Sequence, residues 1–175
     1  LIINDVCAIW KYNHDENYDH GFRNDELYEY GRKLPLEILS KSKNLVNFKM
    51  EMGERTVEEY MNVLYQSRLG ISPFGMGEVC FRDFEYMRFG IPMIKPSMEN
   101  IDTLPNPYIA GETYIPVKND YSDLEDVIVK VLQNYNQYRP MGERMQETFR
   151  RKYLVSELIN HWYGIFTAEG ANLFT

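Results

Sequence analysis

Two cysteines in 175 residues, Cys7 and Cys80, are too few for a disulfide framework. Their scarcity makes a reducing compartment, the cytoplasm, the expected location. No apolar run approaches the roughly 18 residues that cross a bilayer, and no signal peptide opens the chain at Leu1. A start at Leu-Ile-Ile leads us to expect further sequence ahead of it. An excess of positive charge is also missing. The formal net charge of −7 argues against a general nucleic-acid surface, although a cluster such as Arg32, Lys33, Lys41 and Lys43 can still face a phosphate. Histidine occurs three times. His14 and His20, with Asp15 and Asp19, could be drawn as a metal cluster, but Asn13, Asn17, Gly21 and Asn24 give that stretch the composition of an exposed turn. His161 beside Trp162 reads as a packed surface histidine.

What is abundant is apolar content, 44% with 14% aromatic, enough for one hydrophobic core over residues 1–175 as a single domain. Most of the 14 tyrosines fall at helical apolar positions and read as core. Short apolar runs alternate with helical patterns. Strands are expected at Asp5–Lys11, Asn44–Met50, 69–72, 91–95 and 114–117. A helix over Asp25–Ser40 carries Leu27, Tyr30, Leu34, Ile38 and Leu39 at helical spacing, with a break or kink predicted at Pro35. Thr56-Val57-Glu58-Glu59 is a capping box opening a helix to Ser67, and Ser122-Asp123-Leu124-Glu125 repeats it for a helix to about Asn134. A last helical region, Pro140–Phe166, breaks near Val155. Helices between short apolar strands imply an α/β fold with a doubly wound parallel sheet, whose ligands sit at the carboxyl ends of the strands.

Residues 72 to 96, SPFGMGEVCFRDFEYMRFGIPMIKP, carry the functional signal. Leu69 to Ser72 is a strand, and Pro73, Gly75 and Gly77 form a turn whose small residues let a ligand approach the backbone. Val79–Phe89 is helical, Gly90 ends it, and Ile91-Pro92-Met93-Ile94 is the next buried strand. A strand, a glycine turn and a helix N-terminus aim N–H groups and a positive dipole end at one point, which suits a phosphate. Cys80 lies at that helix start, where a thiol pKa can fall; with no histidine nearby in sequence, it reads as structural. Glu85 has two open readings on residues alone, a ligand contact or an ion pair with Arg82 or Arg88, three positions away on either side.

This stretch resembles the C-terminal, nucleotide-sugar-binding domain of GT-B glycosyltransferases, closest to the group-1 and exostosin-like families. Their pattern is a glycine-rich turn, an acidic pair and then E-A-x-x-x-G-x-P-[VL]-[IV]; here Glu85-Tyr86-Met87-Arg88-Phe89-Gly90-Ile91-Pro92-Met93-Ile94 supplies the second half. The resemblance implies a Rossmann-like sheet forming the C-terminal half of a GT-B fold, with Glu85 on the ribose hydroxyls of the donor. The first glutamate of that pattern lies eight residues earlier, where this chain has Gly77 and then Glu78, so the spacing is E-x6-E. Arg82 matches the exostosin-like arginine three before the glutamate. The likeness is strong over about residues 60 to 130 and covers one half of a two-domain enzyme.

The resemblance further implies glycosyl transfer from a nucleotide-diphosphate sugar, used as substrate with no separate cofactor, to a glycan, lipid or protein acceptor held by a domain outside this chain. No Asp-x-Asp of the metal-dependent type occurs, so metal-independent transfer is expected. The diphosphate would rest on the N–H groups of Gly75 to Val79, among them Gly77 and Glu78, with Arg82, Arg32 and Lys33 neutralising its charge. The nucleobase would lie near Met52-Gly53-Glu54, and this fragment alone would bind donor without turnover. Two rivals share parts of this description. A flavodoxin-like or receiver-type signalling domain has a similar sheet, but Lys11, Tyr12 and Asn13 follow the first strand where a receiver needs acids. A nucleotide-sugar epimerase of GT-B fold shares the donor half.

Overall fold

The computed structural model describes residues 2–10, 25–53, 55–75, 77–103, 105–153 and 155–173. The predicted alternation of strands and helices is present. In chain order the elements are β1 (Asn4–Ile9), α1 (Asp25–Lys41), β2 (Met50–Gly53), α2 (Val57–Tyr65), β3 (Ser67–Ile71), α3 (Phe81–Phe89), β4 (Met93–Pro96), β5 (Ile115–Val117), α4 (Leu124–Gln133), α5 (Tyr135–Tyr153) and α6 (Val155–Leu173). All five strands are parallel, in the order β2-β1-β3-β4-β5. The sheet is thus a doubly wound, Rossmann-like α/β sheet. Register places Cys7 between Glu51 and Gly70, and Ile94 beside Ile71 and Ile115.

Side chains alternate across the sheet as strand geometry requires. Val6, Ala8, Leu69 and Ile71 face one core with Leu39 of α1 and Leu124, Ile128 and Val131 of α4. Cys7, Ile9 and Met93 face the other with Leu64 of α2, Tyr86 and Met87 of α3 and Met145 of α5. Gly70 lies under Tyr86, where a Cβ would stand 2.5 Å from the ring. That close approach lets the Tyr86 hydroxyl reach down to donate to the Ile71 carbonyl at 3.2 Å.

Four local expectations are corrected. The second strand is Met50–Gly53 rather than Asn44–Met50. Residues 44 to 47 form a turn in which the Ser42 hydroxyl accepts from the Leu45 N–H, leaving Val46 on the surface. Helix α1 continues through Pro35 without a break. The indole N–H of Trp10 donates to the Arg32 carbonyl at 3.0 Å, tying the turn before the proline to the end of β1. The Ser122 capping box does not form: Ser122 N–H bonds to Asp120, and Asp123, at the N-cap of α4, accepts from the Lys118 N–H. Finally, α3 begins at Phe81, two residues later than predicted.

The Thr56 capping box does form, with Glu59 N–H donating to the Thr56 hydroxyl oxygen and the Glu59 carboxylate accepting from Thr56 N–H. The last helical region is two helices, α5 ending at Tyr153 and α6 starting at Val155, with Pro140 inside α5. Helix α3 ends at Gly90 in the left-handed conformation, φ 66°, as predicted. No described helix is long and apolar enough to cross a membrane.

Candidate functional site

In an open α/β sheet, ligands bind beyond the carboxyl ends of the strands at the point where strand order reverses. Here the chain leaves β1 toward β2 and then crosses back to β3, so the reversal lies between β1 and β3. A cavity of about 480 Å³ opens there. Its wall is Ile9 and Trp10 from the end of β1, Gly75 and Gly77 from the turn after β3, Arg82 and Glu85 from α3, and Arg32, Arg55 and Tyr60 around its rim and side.

The glycine turn is held from beneath by a buried polar cluster. Asp83, in the first turn of α3, accepts from the Cys80 N–H at 3.0 Å, the Ser72 hydroxyl, the Tyr108 hydroxyl at 2.8 Å and the Lys95 ammonium at 3.1 Å. Asp83 and Lys95 are both fully buried. Burial and the adjacent carboxylate both push the Tyr108 phenol up, keeping it a donor. The cluster fixes both ends of the turn, since Ser72 closes β3 and Cys80 precedes α3. Cys80 itself is not an activated thiol: burial raises its pKa, and its Sγ is 3.5 Å from the Pro73 carbonyl.

Gly75 lies close beneath the Arg32 guanidinium, which would have to move aside for a larger residue. A Cβ there would stand 2.8 Å from Arg32 Nη2 and 3.2 Å from Cys80 Sγ. The Gly75 N–H is engaged with the Gly77 carbonyl at 2.9 Å, and that of Cys80 with Asp83. The Gly75 N–H is thus engaged within the turn, and of the expected set Gly75 to Val79 the described residues Gly75, Gly77 and Val79 line the cavity.

Arg82 Nε donates to the Ile9 carbonyl at 3.2 Å, and its guanidinium lies over the Trp10 ring, 5.4 Å from the centroid. Among the described residues its buried Nη1 has no hydrogen-bond partner. A buried guanidinium N–H without an acceptor is costly, and a ligand oxygen in the cavity would satisfy it. Glu85, half-buried on the next turn of α3, pairs with neither Arg82 nor Arg88. It accepts from the Tyr60 hydroxyl of α2 at 2.6 Å, which closes the ion-pair reading. The Tyr60 phenol is pushed up by burial and then by Glu85, so it remains protonated and donating.

Of the residues expected at the site, the structure brings Gly75, Gly77, Val79, Arg82, Glu85 and Arg32 to one cavity. Glu78 is exposed just before α3, outside the lining. Lys33 and Gly53 also stand outside it; Gly53 ends β2 at φ 93°, and its carbonyl accepts from the Trp10 N–H at 2.9 Å. Histidines 14 and 20 with Asp15 and Asp19 lie outside the described residues. Sequence reasoning missed Trp10, Arg55, Tyr60 and the Asp83–Lys95 pair. A signal existed for the pair, because a lysine within the buried run Met93-Ile94-Lys95 needs a buried partner.

No family model and no curated protein matches this sequence significantly. Solved structures do share its fold. Superposition on TarM gives a TM-score of 0.56 at 16% identity over 93% of this chain and 35% of TarM. Sucrose-phosphate synthase from Thermosynechococcus elongatus gives 0.55 at 15% identity over 97% of this chain and 46% of the synthase. Both are GT-B glycosyltransferases. At these identities the likeness establishes the fold, and this chain spans less than half the length of either neighbour.

Proposed function

We propose that this chain is the donor-binding half of a glycosyltransferase and that the cavity between β1 and β3 takes a nucleotide-diphosphate sugar. The observation that carries this reading is the pairing of an arginine N–H lacking an acceptor among the described residues, Arg82 Nη1, with a carboxylate one helical turn away, Glu85, beside a glycine turn at the sheet's reversal point. An anion and a polyol presented by one ligand would meet those two groups in that order.

In this reading the diphosphate lies against the N–H groups of Gly77 to Val79, with Arg82 and Arg32 over its charge and Arg55 at the rim. Charge grows on the nucleotide as the glycosidic bond breaks, so fixed cations there lower the barrier and a metal is not required. Glu85 accepts from the ribose hydroxyls. The acceptor, a glycan, lipid or protein, and any catalytic base belong to another domain, so this half alone binds donor without turning it over.

Strand order favours a second reading. The order β2-β1-β3-β4-β5 is that of flavodoxin-like and receiver sheets, which place their ligands at the same reversal point. A calorimetric panel of nucleoside diphosphates, nucleotide sugars and flavin mononucleotide separates the two. Binding of at least one nucleotide sugar, with the flavin inert, is expected. Binding of the flavin alone, or of nothing in the panel, would overturn the donor-site reading.

A further inference from the structure

We infer that Tyr60 is a positioning residue that makes the cavity selective for ribonucleotides. The inference rests on the donor-site reading above and goes beyond it in naming the residue that sets discrimination at the sugar. Glu85 has no salt bridge among the described residues, and its carboxylate is held across the cavity by one contact, the Tyr60 hydroxyl at 2.6 Å from Oε2. A glutamate side chain has three rotatable bonds. Without a partner the carboxylate would sample several rotamers, and ordering it on binding would cost affinity. The Tyr60 hydroxyl removes that freedom in advance.

Tyr60 is itself well fixed. It lies in the first turn of α2, whose start is locked by the Thr56–Glu59 capping box, and its N–H donates to the Thr56 carbonyl at 2.9 Å. Its ring packs in the core that holds Tyr86 and Met87. The phenol stays protonated because burial and Glu85 both oppose its ionisation. With a permanent donor on Oε2, Oε1 and the remaining lone pair of Oε2 are left as an acceptor pair on a residue that lines the cavity. That arrangement fits two adjacent hydroxyls, as on ribose, and fits a 2′-deoxyribose only half as well.

The test is the affinity ratio between ribo- and 2′-deoxyribonucleoside diphosphates, measured calorimetrically for the parent chain and for Tyr60→Phe with uridine, adenosine and guanosine diphosphates and their 2′-deoxy forms. Phenylalanine fills the same volume at a half-buried position, and a melting temperature within a few degrees of the parent checks that the fold is kept. For the base that binds best, the parent is expected to favour the ribonucleotide by about five- to hundredfold. In Tyr60→Phe the ribonucleotide weakens while the 2′-deoxy form hardly changes, so the ratio falls to about threefold or less. A ratio unchanged in Tyr60→Phe would overturn the inference while leaving the donor site standing. If the parent binds none of the diphosphates, the donor-site reading fails and the inference falls with it.

Discussion

Lys95 and Asp83 form an ion pair sealed from water: Nζ is 3.1 Å from Oδ2, and neither side chain has any exposure. The pair joins β4 to the first turn of α3 and, through Ser72 and Cys80, clamps both ends of the glycine turn. Removing one partner of a buried pair leaves an uncompensated charge, so Lys95→Met is expected to cost about 3 to 5 kcal/mol in chemical denaturation. Adding Asp83→Asn to Lys95→Met removes the stranded charge and recovers part of the loss. A single-variant loss under about 1 kcal/mol would show that the pair does not hold the turn.

Alkaline stability follows from the buried phenols and thiols. Burial raises the pKa of Cys7, Tyr60, Tyr86, Tyr108 and Tyr121 above the ordinary values of 9.0 and 10.0. Between the unfolded and folded values the native state holds more protons than the unfolded chain, so stability falls as pH rises. The contribution is intact below about pH 9 and is lost progressively above it. Denaturation midpoints measured from pH 8 to 11 are expected to drop, and the phenolate absorbance of these tyrosines is expected to appear together with unfolding. Ionisation of all 14 tyrosines near pH 10 in a chain that remains folded would contradict the burial pattern.

Arg82→Ala separates phosphate binding from structure. The side chain holds the Ile9 carbonyl and covers Trp10, and its buried Nη1 has no partner among the described residues. A charge-assisted hydrogen bond to a phosphate oxygen contributes roughly 1.5 to 3 kcal/mol. Nucleoside diphosphate affinity is therefore expected to fall by that amount in Arg82→Ala, and nucleoside affinity by much less. Equal weakening of the two ligands would make Arg82 a structural residue.

The sheet and the turn are legible in sequence because their signals are local. Apolar runs such as Val6 to Ile9 state their burial directly, and the Pro73-Phe74-Gly75 stretch states its turn. Strand β2 is misplaced because Leu45, Val46 and Phe48 offer an apolar run with strand character, whereas pairing with β1 selects Met50–Gly53, an edge strand buried on neither face completely. Helix α1 runs on through Pro35, and its Arg32 carbonyl accepts from Trp10, a contact 22 residues away that no propensity contains. The Ser122 box loses to Asp120, which takes the Ser122 N–H, and to Asn44, whose amide holds the Glu125 carboxylate. Tyr60 is invisible as a site residue for the same reason of distance: its partner Glu85 is 25 residues on, and only the packing of α2 and α3 into the same core brings them together.

Glu85→Gln tests the central claim most directly, by calorimetric affinity for a nucleotide-diphosphate sugar alongside melting temperature. The amide oxygen can still accept from Tyr60, so stability is expected to stay close to the parent's, while loss of the charge and of one acceptor weakens donor binding by about 1 to 3 kcal/mol, or some five- to hundredfold. A lower melting temperature with unchanged donor affinity would assign Glu85 to packing alone and remove the chief support for a donor site.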